Sequence, residues 1–132
     1  MLAGILLLWG NQGLFSPSPI VIAFQVLALF LMIWARVTFG GRSFHATASP
    51  TGGGLVTTGP YRYIRHPIYA AALVITWAGV LGNFSPANVG FGILTFAGGM
   101  ARIICEETLV RVRYPEYDEY ARKTSRLIPF LY

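Results

Sequence analysis

Gly59-Pro60-Tyr61-Arg62-Tyr63-Ile64-Arg65-His66-Pro67-Ile68-Tyr69 is polar, aromatic and basic, yet it runs directly into the apolar segment Ile68–Leu81. Proline is well placed just inside a helix start, because its missing N–H would be unpaired there anyway. His66-Pro67 therefore reads as the mouth of a helix, with two arginines, three tyrosines and a histidine gathered at it. Such a start offers unpaired backbone N–H groups and a partial positive charge, which suit an anionic group on a ligand. A polar loop meets an apolar helix here, and the other segments can be placed on either side of that junction.

Upstream, Ile20–Phe39 is the best spanning segment. Its residues, at about 1.5 Å of rise each, reach roughly 30 Å, the thickness of a bilayer core. Arg36 near its end can snorkel to the headgroups. Ser16-Pro17-Ser18-Pro19 is a turn, since two close prolines block a continuing helix. Met1–Phe15 is apolar but interrupted by Gly10-Asn11-Gln12-Gly13. It has neither the positive n-region nor the cleavage site of a signal peptide, so it is expected as a first helix, short for a span. Gly40–Gly59 is polar and loose, and its run Gly52-Gly53-Gly54 permits unusual backbone angles and close approach of a ligand. A flexible linker is the alternative reading of that loop, and His45 within it reads as an ordinary loop residue. Downstream, Ile68–Leu81 is a third helix, Gly82-Asn83-Phe84-Ser85-Pro86 an uncharged turn, and Ala87–Cys105 a fourth helix. Gly90, Gly92, Gly98 and Gly99 allow that helix to pack closely on its neighbours.

Composition agrees with a membrane chain. Hydrophobic residues make up 55% of the 132 residues and charged residues 11%, against roughly 25% charged in an average soluble domain. The net charge of +5 would suit nucleic acid, but residues 1–35 carry no charge at all. Every charge falls within Arg36–Arg65 or Arg102–Arg126, so no nucleic-acid partner is expected. The single Cys105 excludes an intramolecular disulfide. With two histidines at no metal-site spacing, no metal is expected either. Because the two basic regions flank apolar segments, the positive-inside rule puts both on the cytoplasmic side. Four spans with both termini inside satisfy this, as do three spans if Met1–Phe15 does not cross.

The C-terminal segment has its own logic. Arg102 and Glu106 are four apart on one helix face and can pair or face a common ligand, with Glu107 beside them. Pro115 can open a short second helix, with Glu116, Asp118 and Glu119 in its first turn and Arg122 and Lys123 in its last. Tyr117, Tyr120 and Ala121 form a semi-apolar stripe on it. It reads as an interfacial helix folded back over the cytoplasmic face.

Leu55-Val56-Thr57-Thr58-Gly59-Pro60-Tyr61-Arg62-Tyr63-Ile64-Arg65-His66-Pro67-Ile68-Tyr69 resembles the signature of the isoprenylcysteine carboxyl methyltransferase family, much of which the phospholipid N-methyltransferases share. The resemblance continues in Arg102…Glu106-Glu107, Tyr117…Tyr120 and Arg126-Leu127-Ile128-Pro129-Phe130, covering roughly residues 50–132. It implies an all-α, polytopic transmembrane bundle that uses S-adenosylmethionine. A C-terminal interfacial helix would cover a cofactor pocket on the cytoplasmic side, and a lipophilic substrate would come from the bilayer. Carried over, Gly53, Gly54, Leu55, Val56, Tyr61, His66, Pro67, Ile68, Tyr69 and Glu106 fall on cofactor contacts, and Arg102 on a substrate-side arginine. Gly53 stands where the prenylcysteine enzymes tend to have a histidine, so a contact there is made by backbone or is absent.

The cofactor's chemistry suits these residues. Glu106 and Glu107 can accept from its amino group or ribose hydroxyls, the His66 helix mouth and Arg65 suit its carboxylate, and Tyr61 and Tyr69 can wall its adenine. Arg102, Arg65 and Glu106 are thus expected at the reacting centre. A bidentate Arg102 favours carboxylate O-methylation of an isoprenylcysteine-like acceptor. N-methylation of a phospholipid or other amine would need a base, His66 or Glu106. Two other classes stand beside these. One is an NADPH-dependent membrane reductase of the steroid-reductase type, which has a similar Arg-His-Pro-x-Tyr; the other is a non-enzymatic small membrane scaffold.

Overall fold

The computed structural model describes residues 1–40 and 54–129. Most of the loop after Phe39, with Gly53 and His45, lies outside the described residues. Among the described residues five α-helices follow in order: α1 (Leu2–Gly10), α2 (Pro19–Phe39), α3 (Pro67–Gly82), α4 (Pro86–Arg113) and α5 (Tyr117–Lys123), with a 3₁₀ turn at Gly59–Arg62 before α3. Among the described residues there is no strand, only an isolated parallel bridge between Ile64 and Ser125. The all-helical class expected from the sequence is what the chain adopts.

Proline opens three of the helices: Pro19, Pro67 and Pro86 each stand in a first turn, where the lost N–H costs nothing. At α4 the Ser85 hydroxyl also accepts from the Asn88 N–H at 3.1 Å, a side-chain N-cap. Gly40, with φ +67°, ends α2 in the left-handed conformation that glycine adopts without strain. Tyr114 ends α4 in an extended conformation, as the residue before a proline tends to be. The fourth helix thus continues past Cys105 to Arg113, carrying Glu106 and Glu107 on regular helix.

α2 and α4 are long and apolar enough to cross a membrane. At 1.5 Å per residue they reach about 32 and 42 Å, against a core of roughly 30 Å. α3 has 16 residues and reaches about 24 Å. α1 has nine and reaches about 14 Å, half a core thickness. α2 turns Ile20, Phe24, Leu27, Phe30 and Val37 outward, each more than half exposed, an apolar surface of the kind that suits lipid rather than water.

α3 is central, packing against α2 on one side and α4 on the other, while α1 lies along α4. Glycines set the closest approaches. A Cβ on Gly4 would meet Thr95 and the Phe91 carbonyl, and one on Gly79 would lie 2.1 Å from the Leu14 carbonyl oxygen. Leu8, Leu14 and Val80 form the buried centre, with Ile5, Trp77 and Phe91 packed on it. The α1–α2 turn is stitched in by amides. Gln25 Nε2 donates to the Leu14 and Ile75 carbonyls at 2.7 and 3.2 Å. Asn11 donates to Asn88 at 2.8 Å, Asn88 to the Asn83 carbonyl at 2.7 Å, and Asn83 to the Phe15 carbonyl at 2.7 Å. That end of the bundle is uncharged; the opposite end, where α2 finishes and α3 begins, carries the charges.

Candidate functional site

At the charged end the loop into α3 is fixed before the helix starts. Gly59 has φ +56°, and a Cβ there would meet Thr38 at 2.6 Å, so glycine lets the loop press on the end of α2. Tyr61, 5% exposed, turns its ring to Phe39 at a centroid distance of 5.5 Å. The chain then runs beside the C-terminal segment. Arg65 N–H donates to the Ser125 carbonyl at 2.8 Å, His66 N–H to Arg126 at 3.2 Å, and Ser125 N–H back to Tyr63 at 3.0 Å.

The two adjacent carboxylates of α4 part company. Successive residues on a helix are about 100° apart, so Glu106 and Glu107 cannot share a face. Glu107 points inward, its side chain 3% exposed. It receives Arg65 Nε on Oε1 at 3.1 Å, Arg126 Nη2 on Oε2 at 2.9 Å, and lies 3.2 Å from His66 Nε2. Arg65 Nη1 also donates to the Ala121 carbonyl at 2.8 Å and to the Thr124 carbonyl. A buried charge is tolerable only with such partners, and removing one of them costs about 3–5 kcal/mol. Glu106 is more open, its side chain 22% exposed. Its Oε1 receives the Tyr69 hydroxyl at 2.5 Å and Arg102 Nε at 3.0 Å.

Each expected site residue can now be placed. Arg102, Glu106 and Tyr69 come together at the α3–α4 edge. Arg65, expected at the reacting centre, spends its guanidinium on Glu107 and the C-terminal backbone. His66 is the N-cap residue of α3 but makes no side-chain cap bond; its imidazole turns to Glu107 and lies edge-on to Tyr69 at 5.7 Å. Pro67 is buried and Ile68 half-buried at the helix mouth. Tyr61, expected against an adenine, has its ring beside Phe39 at the end of α2. Gly54 is exposed with φ +80°, Leu55 and Val56 are half-buried, and Gly53 lies outside the described residues. Sequence reasoning gave no role to Thr124 and Ser125, and to Arg126 none beyond its motif. A lone buried carboxylate's need for cations would have been the signal for Arg126.

α5 folds back over this end. Tyr120 Oη donates to the Tyr61 carbonyl at 2.7 Å. Burial pushes the Tyr120 phenol up to about 12, so it remains a donor throughout the neutral range. Tyr61 and Tyr117 are also raised, first by burial and then by the charges of Tyr120 and Glu107 respectively. Glu119, on the outer face, is lowered by its bond to Lys123. A cavity of ≈ 350 Å³ lies against this fold-back, lined by Arg65, residues 121–125 and Arg126. Among the described residues no group of three or more His, Cys, Asp or Glu side chains could hold a metal ion.

The helices that carry Tyr69, Arg102, Glu106 and Glu107 lie in one matched region: residues 17–117 match the family described as phospholipid methyltransferase. The chain belongs to that family. The match takes in α2, α3 and α4 with Arg65, Tyr69, Arg102, Glu106 and Glu107, and stops short of Ser125 and Arg126. The chain is also similar to two curated proteins. One is the nickel-cobalt-cadmium resistance protein NccN of Alcaligenes xylosoxydans xylosoxydans, 38% identical over 58% of this chain and 37% of that protein. The other is the cobalt-zinc-cadmium resistance protein CzcN of Cupriavidus metallidurans, 30% identical over 86% of this chain and 51% of that protein. The chain thus spans about a third to a half of the length of these relatives. No solved structure matches it significantly.

Proposed function

We propose that this chain is an S-adenosylmethionine-dependent membrane methyltransferase of a lipophilic acceptor, with its donor site at the charged, cytoplasmic end of a multi-pass bundle. The observation that carries the reading is the division of the two carboxylates. Glu107 is sealed among cations, while Glu106 stands at an open edge with Tyr69 and Arg102, inside the span that matches the family. A partly exposed carboxylate bonded to Tyr69 in the first turn of α3, beside an uncapped helix mouth, suits a ligand bearing both an ammonium and a carboxylate. In this reading Glu106 and Tyr69 hold the ammonium end, the first-turn amides of α3 take the carboxylate, and Gly54, Leu55 and Val56 border the site. Bound there, S-adenosylmethionine would supply an electrophilic methyl group on its sulfonium.

Arg102 then orients the acceptor. Its guanidinium is 42% exposed on its side chain and can meet a carboxylate through two parallel bonds. An ionised carboxylate requires no base, only alignment at about 3–3.5 Å. That makes carboxylate O-methylation, as on an isoprenylcysteine-like acid, the first reading. The family match favours a second, N-methylation of a phospholipid amine, in which Glu106 must also take a proton from the amine.

Isothermal titration of S-adenosylmethionine into the detergent-purified chain tests the reading, with NADPH in parallel and Glu106→Gln as control. Binding of the methyl donor, weakened in the variant, is expected. NADPH binding instead moves the chain to the membrane reductases, and binding of neither to folded protein leaves a scaffold.

A further inference from the structure

We propose that Glu107 is a positioning residue: it holds the mouth of α3, and through it the placement of Glu106 and Tyr69, without itself touching a ligand. This rests on the methyltransferase reading above. The argument begins with helix geometry. Glu107 meets His66, the residue that precedes α3, while Glu106 meets Tyr69, three positions further on. His66 and Tyr69 stand nearly one turn apart, and Glu106 and Glu107 about 100° apart on α4. The two contacts together fix both the height and the rotation of α4 against α3, whereas either alone would leave rotation free.

The same carboxylate ties in a third element. Arg126 reaches both Glu107 oxygens, at 2.9 and 3.3 Å, while its own carbonyl accepts the His66 N–H. Arg65 bonds Glu107 by its side chain and Ser125 by its N–H. The loop into α3, α4 and the C-terminal segment therefore converge on one carboxylate that is 3% exposed. A ligand could reach Glu107 only by opening this clasp. Without that negative charge, two guanidiniums would be left facing one another in a desolvated space, and the segments they belong to would separate.

Two quantities read together test the proposal: S-adenosylmethionine affinity by calorimetry, and amide hydrogen exchange at Arg65, His66 and Ser125 in the detergent-purified chain. Glu107→Gln is expected to weaken binding by about 10–100-fold, the range for losing a group that orients a binding residue. The three amides should exchange faster in step. Glu107→Asp should recover part of both, and Glu106→Gln should weaken binding while leaving the three amides as protected as in the parent. Weakened binding in Glu107→Gln with unchanged protection would make Glu107 a direct ligand and overturn the proposal. Lost protection with unchanged affinity would overturn it too, leaving a purely structural clasp. If the parent chain binds no methyl donor, the methyltransferase reading fails first and the proposal falls with it. Should Glu107→Gln not fold, Arg126→Lys, which keeps the charge but not the fork, is expected to shift both quantities together by a smaller factor.

Discussion

Gly79→Ala should loosen the whole uncharged end of the bundle. The added Cβ would stand 2.1 Å from the Leu14 oxygen, 2.6 Å from its carbonyl carbon and 2.8 Å from the Gly13 oxygen. All three are backbone atoms, so no side chain can swing away, and the α1–α2 turn must retreat by more than an ångström. That retreat pulls Leu14 from Gln25, whose amide donates to it at 2.7 Å. Overpacking of this kind costs about 1–3 kcal/mol, and the lost hydrogen bond about 1 kcal/mol more. Alanine is the better helix former by about 1 kcal/mol, which offsets part of this. Gly90→Ala supplies the control. It lies on α4 with nothing within 4 Å of the added Cβ, so it shows the propensity gain alone. The difference between the two variants isolates the clash, at about 2–4 kcal/mol. Denaturant unfolding in a fixed detergent, followed by circular dichroism, measures it. Equal midpoints for the two variants would refute the packing described for this turn.

Tyr120→Phe removes the phenol that donates to the Tyr61 carbonyl and should cost about 1–2 kcal/mol at neutral pH. The pH dependence has a definite sign. Burial raises the Tyr120 phenol from its ordinary value to about 12, so the folded state holds this proton more tightly than the unfolded state. Its contribution is complete below about pH 10 and is lost as pH rises through about 12. Unfolding midpoints between pH 8 and 11.5 should therefore fall less steeply above pH 10 in Tyr120→Phe than in the parent. Ser85→Ala removes the side-chain cap of α4 and should lower stability by about 1 kcal/mol, read in the same unfolding assay. Asp118→Ala, which breaks an exposed pair with Arg111, should change it by less than about 1 kcal/mol.

The start of α3 could be read directly because its signal is local, whereas Pro19 and Pro86 read as the ends of turns and prove to be the first residues of helices. Pro19, Pro67 and Pro86 each open a helix for a reason contained in one residue's chemistry. The end of α4 was harder to see. Apolar content falls at Cys105, but Glu106, Glu107, Leu109, Val110 and Arg111 sustain a helix in water as readily as in lipid, and the real stop is the conformational demand of Pro115 on Tyr114. The ties that close the bundle were not legible at all. Asn11 with Asn88 and Gln25 with Ile75 join residues 77 and 50 positions apart, and nothing in either residue's neighbourhood names its partner.

Adjacency in sequence was a misleading signal at the site. Glu106-Glu107 invites a reading of two carboxylates side by side on one ligand, yet on a regular helix adjacent residues diverge by about 100°. The residues that share a face with Glu106 are those four away, such as Arg102, which it meets at 3.0 Å. Glu107 had to find partners on other elements, and being buried it required cations. Among the described residues, Arg65 from the loop and Arg126 from beyond α5 are the guanidiniums that reach it. Helical period and charge balance together therefore lead from a carboxylate doublet to one open acid and one sealed one. In the proposed reading the open acid recognises a ligand, and the sealed one keeps the elements around it in place.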